Sequence, residues 1–122
     1  MENKINILYV DDEELNLQLF ATVFKKKFNV ITAESGFEGL EKLEENKDIC
    51  IVISDMKMPE MNGVEFINNA KKKFDNLVYF ILTGFEITEE ITDALNEKLI
   101  NKYFKKPFNS KEIENTINEV LC

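Results

Sequence analysis

Ile49-Cys50-Ile51-Val52-Ile53-Ser54-Asp55 is an unbroken apolar run that halts at a carboxylate. A strand with one wet face alternates polar and apolar residues, whereas a strand apolar at successive positions is covered on both faces, as inside a parallel sheet. Outward from this stretch, Ile5-Asn6-Ile7-Leu8-Tyr9-Val10 halts at Asp11-Asp12, and Leu77-Val78-Tyr79-Phe80-Ile81-Leu82 halts at Thr83. A shorter run, Tyr103-Phe104, leads to Lys106-Pro107. As parallel strands, these runs would gather three carboxylates, a hydroxyl and an ammonium at one edge of one sheet. Such a cluster is costly to build for stability alone, so it points to function.

Helix-period stretches separate the strands. Leu17, Phe20, Val23 and Phe24 follow helical spacing up to Lys25-Lys26-Lys27, cations that suit the negative end of a helix dipole. Asn29-Val30-Ile31-Thr32-Ala33 reads as a short strand. Ser35-Gly36-Phe37-Glu38 reads as a capping box with Leu40 and Leu43 turned inward, and Asn62-Gly63-Val64-Glu65 repeats it ahead of Ile67, Ala70 and Phe74. Thr88 opens a helix with the stripe Ile87, Ile91, Ala94, Leu95; Asn109 opens the last, with Ile113, Ile117, Val120 and Leu121.

A strand-helix unit repeated five times predicts an α/β fold: a doubly wound five-stranded parallel sheet with helices on both faces, a three-layer sandwich. The shorter, more polar second and fifth strands suit the edges, which gives the order 2-1-3-4-5. The topological switch then falls between strands one and three, leaving a crevice at their C-terminal ends that Asp11-Asp12 and Asp55 flank.

With 122 residues, the chain reads as one domain spanning 1–122, long enough to bury its own core. Its 44% hydrophobic and 31% charged residues fit a folded globular protein rather than a disordered one. A net charge of −8 argues against direct nucleic-acid binding or an anionic membrane surface. No stretch approaches the ~20 apolar residues of a membrane span, and no signal peptide is legible. Cys50, inside a strand, and Cys122, the final residue, read as free thiols of a reducing compartment, so the cytoplasm is expected. The absence of histidine removes Ser-His and Cys-His nucleophiles and the usual zinc sites. Chemistry must therefore come from carboxylate, hydroxyl, ammonium or a hard metal ion.

Neighbouring strands lie roughly 4.8 Å apart, so the acids of strands one and three would crowd and repel unless a cation sat among them. Oxygen ligands alone select a hard ion, and Mg²⁺ is expected; it takes one or two carboxylates, several waters and a substrate phosphate. Lys106 could pair with a carboxylate or a phosphoryl oxygen, and Thr83 offers a hydroxyl one strand from Asp55. A carboxylate attacking phosphorus would make an acyl phosphate. Blander readings exist for each element: Asp11-Asp12-Glu13-Glu14 as helix-terminal charge, Asp55 as a turn residue, Thr83-Gly84 as a loop start, Lys105-Lys106 as surface charge. All four would have to hold at the same sheet edge.

In order and at matching strand ends, Val10-Asp11-Asp12-Glu13, Ser54-Asp55-Met56-Lys57-Met58-Pro59-Glu60-Met61-Asn62-Gly63, Leu82-Thr83-Gly84 and Tyr103-Phe104-Lys105-Lys106-Pro107-Phe108 resemble the receiver domains of two-component response regulators. The resemblance covers essentially the whole chain and implies a flavodoxin-like (βα)5 sandwich acting in phosphorelay signalling, not a conventional turnover enzyme. It implies that Asp55 accepts a phosphoryl group from a phosphohistidine on a sensor histidine kinase or phosphotransfer protein. Asp12 would bind Mg²⁺ directly and Asp11 directly or through water, with Asp55 and the Lys57 backbone carbonyl as further ligands. Thr83 would hold the phosphoryl group, Lys106 would pair with it beside a cis peptide to Pro107, and Tyr103 would turn from exposed to buried. The readout face would be the fourth helix, fifth strand and fifth helix, roughly 88–121, acting on an output domain or protein located elsewhere; homodimerisation on activation is left open.

Two departures stand out. Ala94-Leu95-Asn96-Glu97-Lys98-Leu99-Ile100 replaces the family's small Ala-Gly-Ala turn, and with Leu82-Thr83-Gly84-Phe85 it is similar to receivers joined to cyclic-dinucleotide phosphodiesterase or other enzymatic outputs. Lys57 and Phe85 fall where side chains can steer an attacking water and so set the lifetime of the phosphate. Competing readings are a receiver-like module that binds without phosphorylation, a flavin-type electron carrier, and an aspartate-nucleophile phosphatase. The flavin reading lacks a Ser/Thr/Gly-rich phosphate loop after strand one, and the phosphatase reading wants an acid where Lys57 stands.

Overall fold

The computed structural model describes residues 4–84 and 86–120; Phe85, Leu121 and Cys122, named above, lie outside them. Its elements alternate as β1 (Ile5–Val10), α1 (Glu14–Phe24), β2 (Phe28–Ala33), α2 (Gly36–Glu45), β3 (Ile49–Asp55), α3 (Gly63–Lys71), β4 (Val78–Thr83), α4 (Glu89–Asn96), β5 (Lys102–Lys105) and α5 (Ser110–Glu119). All strand pairs are parallel, in the order β2-β1-β3-β4-β5. This is the doubly wound flavodoxin-like sheet that the sequence predicts. Val10 pairs with Ser54, Asp55 with Leu82 and Thr83 with Lys105, so the chemistry-bearing ends of four strands come level.

Alternate residues of each central strand enter different cores, which is why these strands are apolar throughout. Leu8, Val10, Val52 and Ile81 pack with Leu43 of α2, Phe66 and Ile67 of α3, and Ile91 and Ala94 of α4. Ile7, Tyr9, Ile51, Ile53, Phe80 and Leu82 pack on the other face under Phe20 and Phe24 of α1 and Ile113 and Ile117 of α5. Each such Leu, Ile or Phe contributes about 1.5–3 kcal/mol by leaving water.

Caps fix where several helices begin. Asn62 accepts from Glu65 N while Glu65 accepts from Asn62 N, a complete capping box. Ser35 accepts from Glu38 N, but the Glu38 carboxylate reaches back to Glu34 N rather than to Ser35, so the expected box is half formed. Thr88 and Asn109 accept from Ile91 N and Glu112 N. On α1, Val23 does not face inward as its spacing suggested. Leu17, Phe20 and Phe24 fill the core, and Val23 joins Leu15 and Leu19 four residues apart on an outward ridge, 40%, 79% and 54% exposed respectively.

The β1–β3 register shifts between Asn6 and Ile7, where Asn6 pairs with Ile49 and Ile7 with Ile51. Cys50 is the extra residue of this bulge and joins Ile51 on the α1/α5 side, where Val120 also packs. It is disulfide-bonded, not the free thiol expected. Among the described residues, no helix is long and apolar enough to cross a membrane.

Candidate functional site

Asp11 extends β1, its N–H donating to Ala33 O at 3.1 Å, and its side chain is wholly buried. Asp12 follows in solvent, and Asp55 ends β3 only 6% exposed. One carboxylate oxygen from each of the three lies within 4.8 Å of the others. Lys106 comes in from beyond β5. Its N–H donates to Thr83 O at 2.8 Å, which ties the lysine backbone to the end of β4. Its ammonium lies 3.1 Å from Asp11 Oδ2 and 3.3 Å from Asp55 Oδ1.

The loop after Asp55 is built to leave that carboxylate in place. Met56, Met58 and Met61 are buried, and Gly63 N donates to Met56 O at 2.8 Å. Any side chain at Gly63 would collide with the Asp55 carbonyl oxygen, so only glycine lets α3 begin so close to Asp55. Asp12, Asp55, Lys57, Gly84 and Lys106 line an open cleft of about 710 Å³ above it.

Burial pushes the Asp55 carboxyl up to about 6; Lys106 pulls the other way and Asp11 adds to the rise. Burial alone would depress the Lys106 ammonium, but Asp55 and Asp11 outweigh it and its pKa is raised. The lysine therefore stays charged and partly neutralises the acids. The donor set is three carboxylates with one open to solvent, and it holds no imidazole or thiolate. That fits a hard divalent cation that keeps part of its water, and Mg²⁺ meets the description.

The structure brings Asp11, Asp12, Asp55 and Lys106 together, with the exposed Lys57 on the rim and the buried Thr83 one strand away. The Lys106–Pro107 peptide is cis, as the resemblance implies. Tyr103 stands apart. It is half-buried opposite Ile81 and lines a different groove with Leu95 and Asn109. One participant went unread: Tyr9, whose hydroxyl donates to Asp11 Oδ2 at 2.7 Å. Its signal was a lone hydroxyl two residues before Asp11, on the same side of the strand, within an apolar run.

A family model for the response regulator receiver domain matches residues 7–118. The chemotaxis protein CheY homolog of Campylobacter jejuni is 29% identical over 121 residues, covering 96% of this chain and 92% of that protein. The cyclic di-GMP phosphodiesterase of Thermotoga maritima is 31% identical over 118 residues, which are 96% of this chain but 31% of that protein. Likewise, the chain spans 24% and 25% of the hydrogenase transcriptional regulatory proteins HoxA of Bradyrhizobium diazoefficiens and Cupriavidus necator. The crystal structure of a response regulator receiver domain protein from Clostridium thermocellum superposes with a TM-score of 0.88 at 32% identity, covering 94% of this chain and 92% of that one.

Proposed function

The chain belongs to the response regulator receiver domain family of two-component signalling, and on that premise we propose that residues 1–122 form one receiver domain whose Asp55 takes up a phosphoryl group in a Mg²⁺-dependent step. The observation that carries this is the Asp55 carboxylate at the floor of an open cleft, 3.3 Å from the Lys106 ammonium and beside two further acids.

An Asp55 oxygen attacks phosphorus; the P–N bond to the donor imidazole breaks and its electron pair returns to the ring nitrogen, leaving an acyl phosphate. Lys106 turns its charge to a phosphoryl oxygen and Thr83 donates its hydroxyl to another. Asp11, Asp12, Asp55 and the Lys57 carbonyl would hold the metal, with Asp11 direct or through water. When bound, Mg²⁺ supplies charge neutralisation between the acceptor carboxylate and the incoming phosphate. Lys57 on the rim is placed to steer the water that later hydrolyses the product.

The family signals and is not a conventional enzyme; the transfer is the chain's own. The donor is a histidine kinase or phosphotransfer protein. The ridge Leu15-Leu19-Val23, at 79%, 54% and 40% exposure, supports docking of an apolar face of that donor beside the site. Phosphorylation adds up to about −2 charge, which Lys106 and Thr83 hold in one loop arrangement, drawing Tyr103 inward and altering the α4–β5–α5 face. That face acts on an output domain or protein, or on a second copy. The net charge of −8 speaks against direct nucleic-acid or anionic-membrane contact. Incubation with acetyl phosphate and Mg²⁺ tests the proposal: wild type takes up one phosphoryl group and Asp55→Asn none. Equal labelling of both would end it.

A further inference from the structure

The geometry points to Tyr9 as a positioning residue for the acid cluster, holding the Asp11 carboxylate for Mg²⁺ independently of Lys106. Tyr9 is 1% exposed, and its ring is stacked on Phe20 with centroids 4.1 Å apart and planes 14° from parallel. A phenylalanine would make the same stack. The hydroxyl therefore adds only its polar bond, and a buried hydroxyl without one is costly. That bond goes to Asp11 Oδ2 at 2.7 Å.

Asp11 is 0% exposed and accepts three donors: Glu13 N on Oδ1 at 3.0 Å, and Tyr9 and Lys106 on Oδ2 at 2.7 and 3.1 Å. Two carboxylate oxygens offer roughly four acceptor positions, so about one is left for a cation or its water. Tyr9 and Glu13 N grip opposite oxygens, and neither belongs to the mobile chemistry. Lys106 is different. It is shared with Asp55 at 3.3 Å, and in the acceptor reading it turns toward the phosphoryl group. At that moment Tyr9 is the side-chain donor that keeps a buried carboxylate bonded and its orientation fixed. Outer donors of this kind sustain metal affinity by aiming the ligand.

The inference rests on the metal-assisted acceptor reading. Its test is a MgCl₂ titration of the full chain, followed through amide resonances beside Asp11 and Asp55, in wild type, Tyr9→Phe and Phe20→Leu. Tyr9→Phe keeps the stack and raises the Mg²⁺ Kd about 3- to 10-fold, less than the largest outer-shell losses because Glu13 N and Lys106 remain. Phe20→Leu loosens the stack, lowers Tm and leaves the Kd within about twofold of wild type. In acetyl phosphate labelling, Tyr9→Phe raises the Mg²⁺ concentration for half-maximal rate while the rate at saturation is retained. A Tyr9→Phe Kd within twofold of wild type, or an equal rise in Phe20→Leu, overturns the inference and leaves the acceptor reading standing. A wild type that binds no Mg²⁺ removes both.

Discussion

The Lys106 ammonium lies 3.3 Å from Asp55 Oδ1, joining a residue beyond the edge strand β5 to one at the end of the central strand β3. The same ammonium reaches Asp11, so one cation bridges two acids that would otherwise repel across β1 and β3. The bridge leaves Asp12 exposed on the cleft side.

Removing that cation separates its stabilising role from its chemical one. Lys106→Ala leaves two buried carboxylates facing each other, and stability without metal should fall by about 1–3 kcal/mol at neutral pH. Mg²⁺ should restore most of the loss in a thermal melt, while acetyl phosphate labelling stays at least about tenfold slower. A variant that melts like wild type without metal would mean the bridge does little for the fold.

The raised Asp55 carboxyl sets a pH dependence with a defined sign. Its folded value of about 6 lies above the ordinary range near 3.9. Between these values the folded chain holds a proton that the unfolded chain has released. The stabilisation is complete at the acid end and disappears as pH rises through 6. Denaturant melts from pH 4 to 7 should therefore show wild type losing stability relative to Asp55→Asn across that window. The opposite slope would put the Asp55 pKa below its ordinary value.

Gly63→Ala tests the close approach of α3 to Asp55. The added carbon meets the Asp55 carbonyl oxygen, so the loop must shift, costing about 1–3 kcal/mol. Thermal melting should fall and labelling should slow together, because the displaced atom belongs to the backbone of Asp55. A full-rate, fully stable variant would contradict the contact.

The α1 ridge should matter more to a protein donor than to a small one. Leu19→Asp puts a charge on a 54% exposed apolar position, and transfer from a phosphohistidine protein should slow by about fivefold or more, well beyond any change with acetyl phosphate. Stopped transfer assays with both donors make the comparison; equal effects would place docking elsewhere.

Much of this was legible in the residues because strands covered on both faces cannot hide their pattern. Ile5–Val10, Ile49–Asp55 and Val78–Thr83 carry no alternation, so the parallel sheet and the position of Asp11, Asp55 and Thr83 at its rim follow from them. Side-chain reach was not legible. Tyr9 reads as core until its hydroxyl is seen on Asp11, since apolar patterning ranks rings and does not aim oxygens. The bulge at Cys50 is a one-residue slip inside a uniformly apolar run, which leaves no mark in that pattern. Val23 fits either flank of α1 by spacing alone, and packing by Phe20 and Phe24 decided it.

Chemical trapping of the product reads the acceptor directly. After incubation with acetyl phosphate and Mg²⁺, borohydride reduction converts an aspartyl phosphate to homoserine, which peptide mass spectrometry locates. Homoserine at position 55, dependent on Mg²⁺ and absent in Asp55→Asn, is the expected result. Homoserine at another carboxylate, or none at all in a folded chain, would contradict the account.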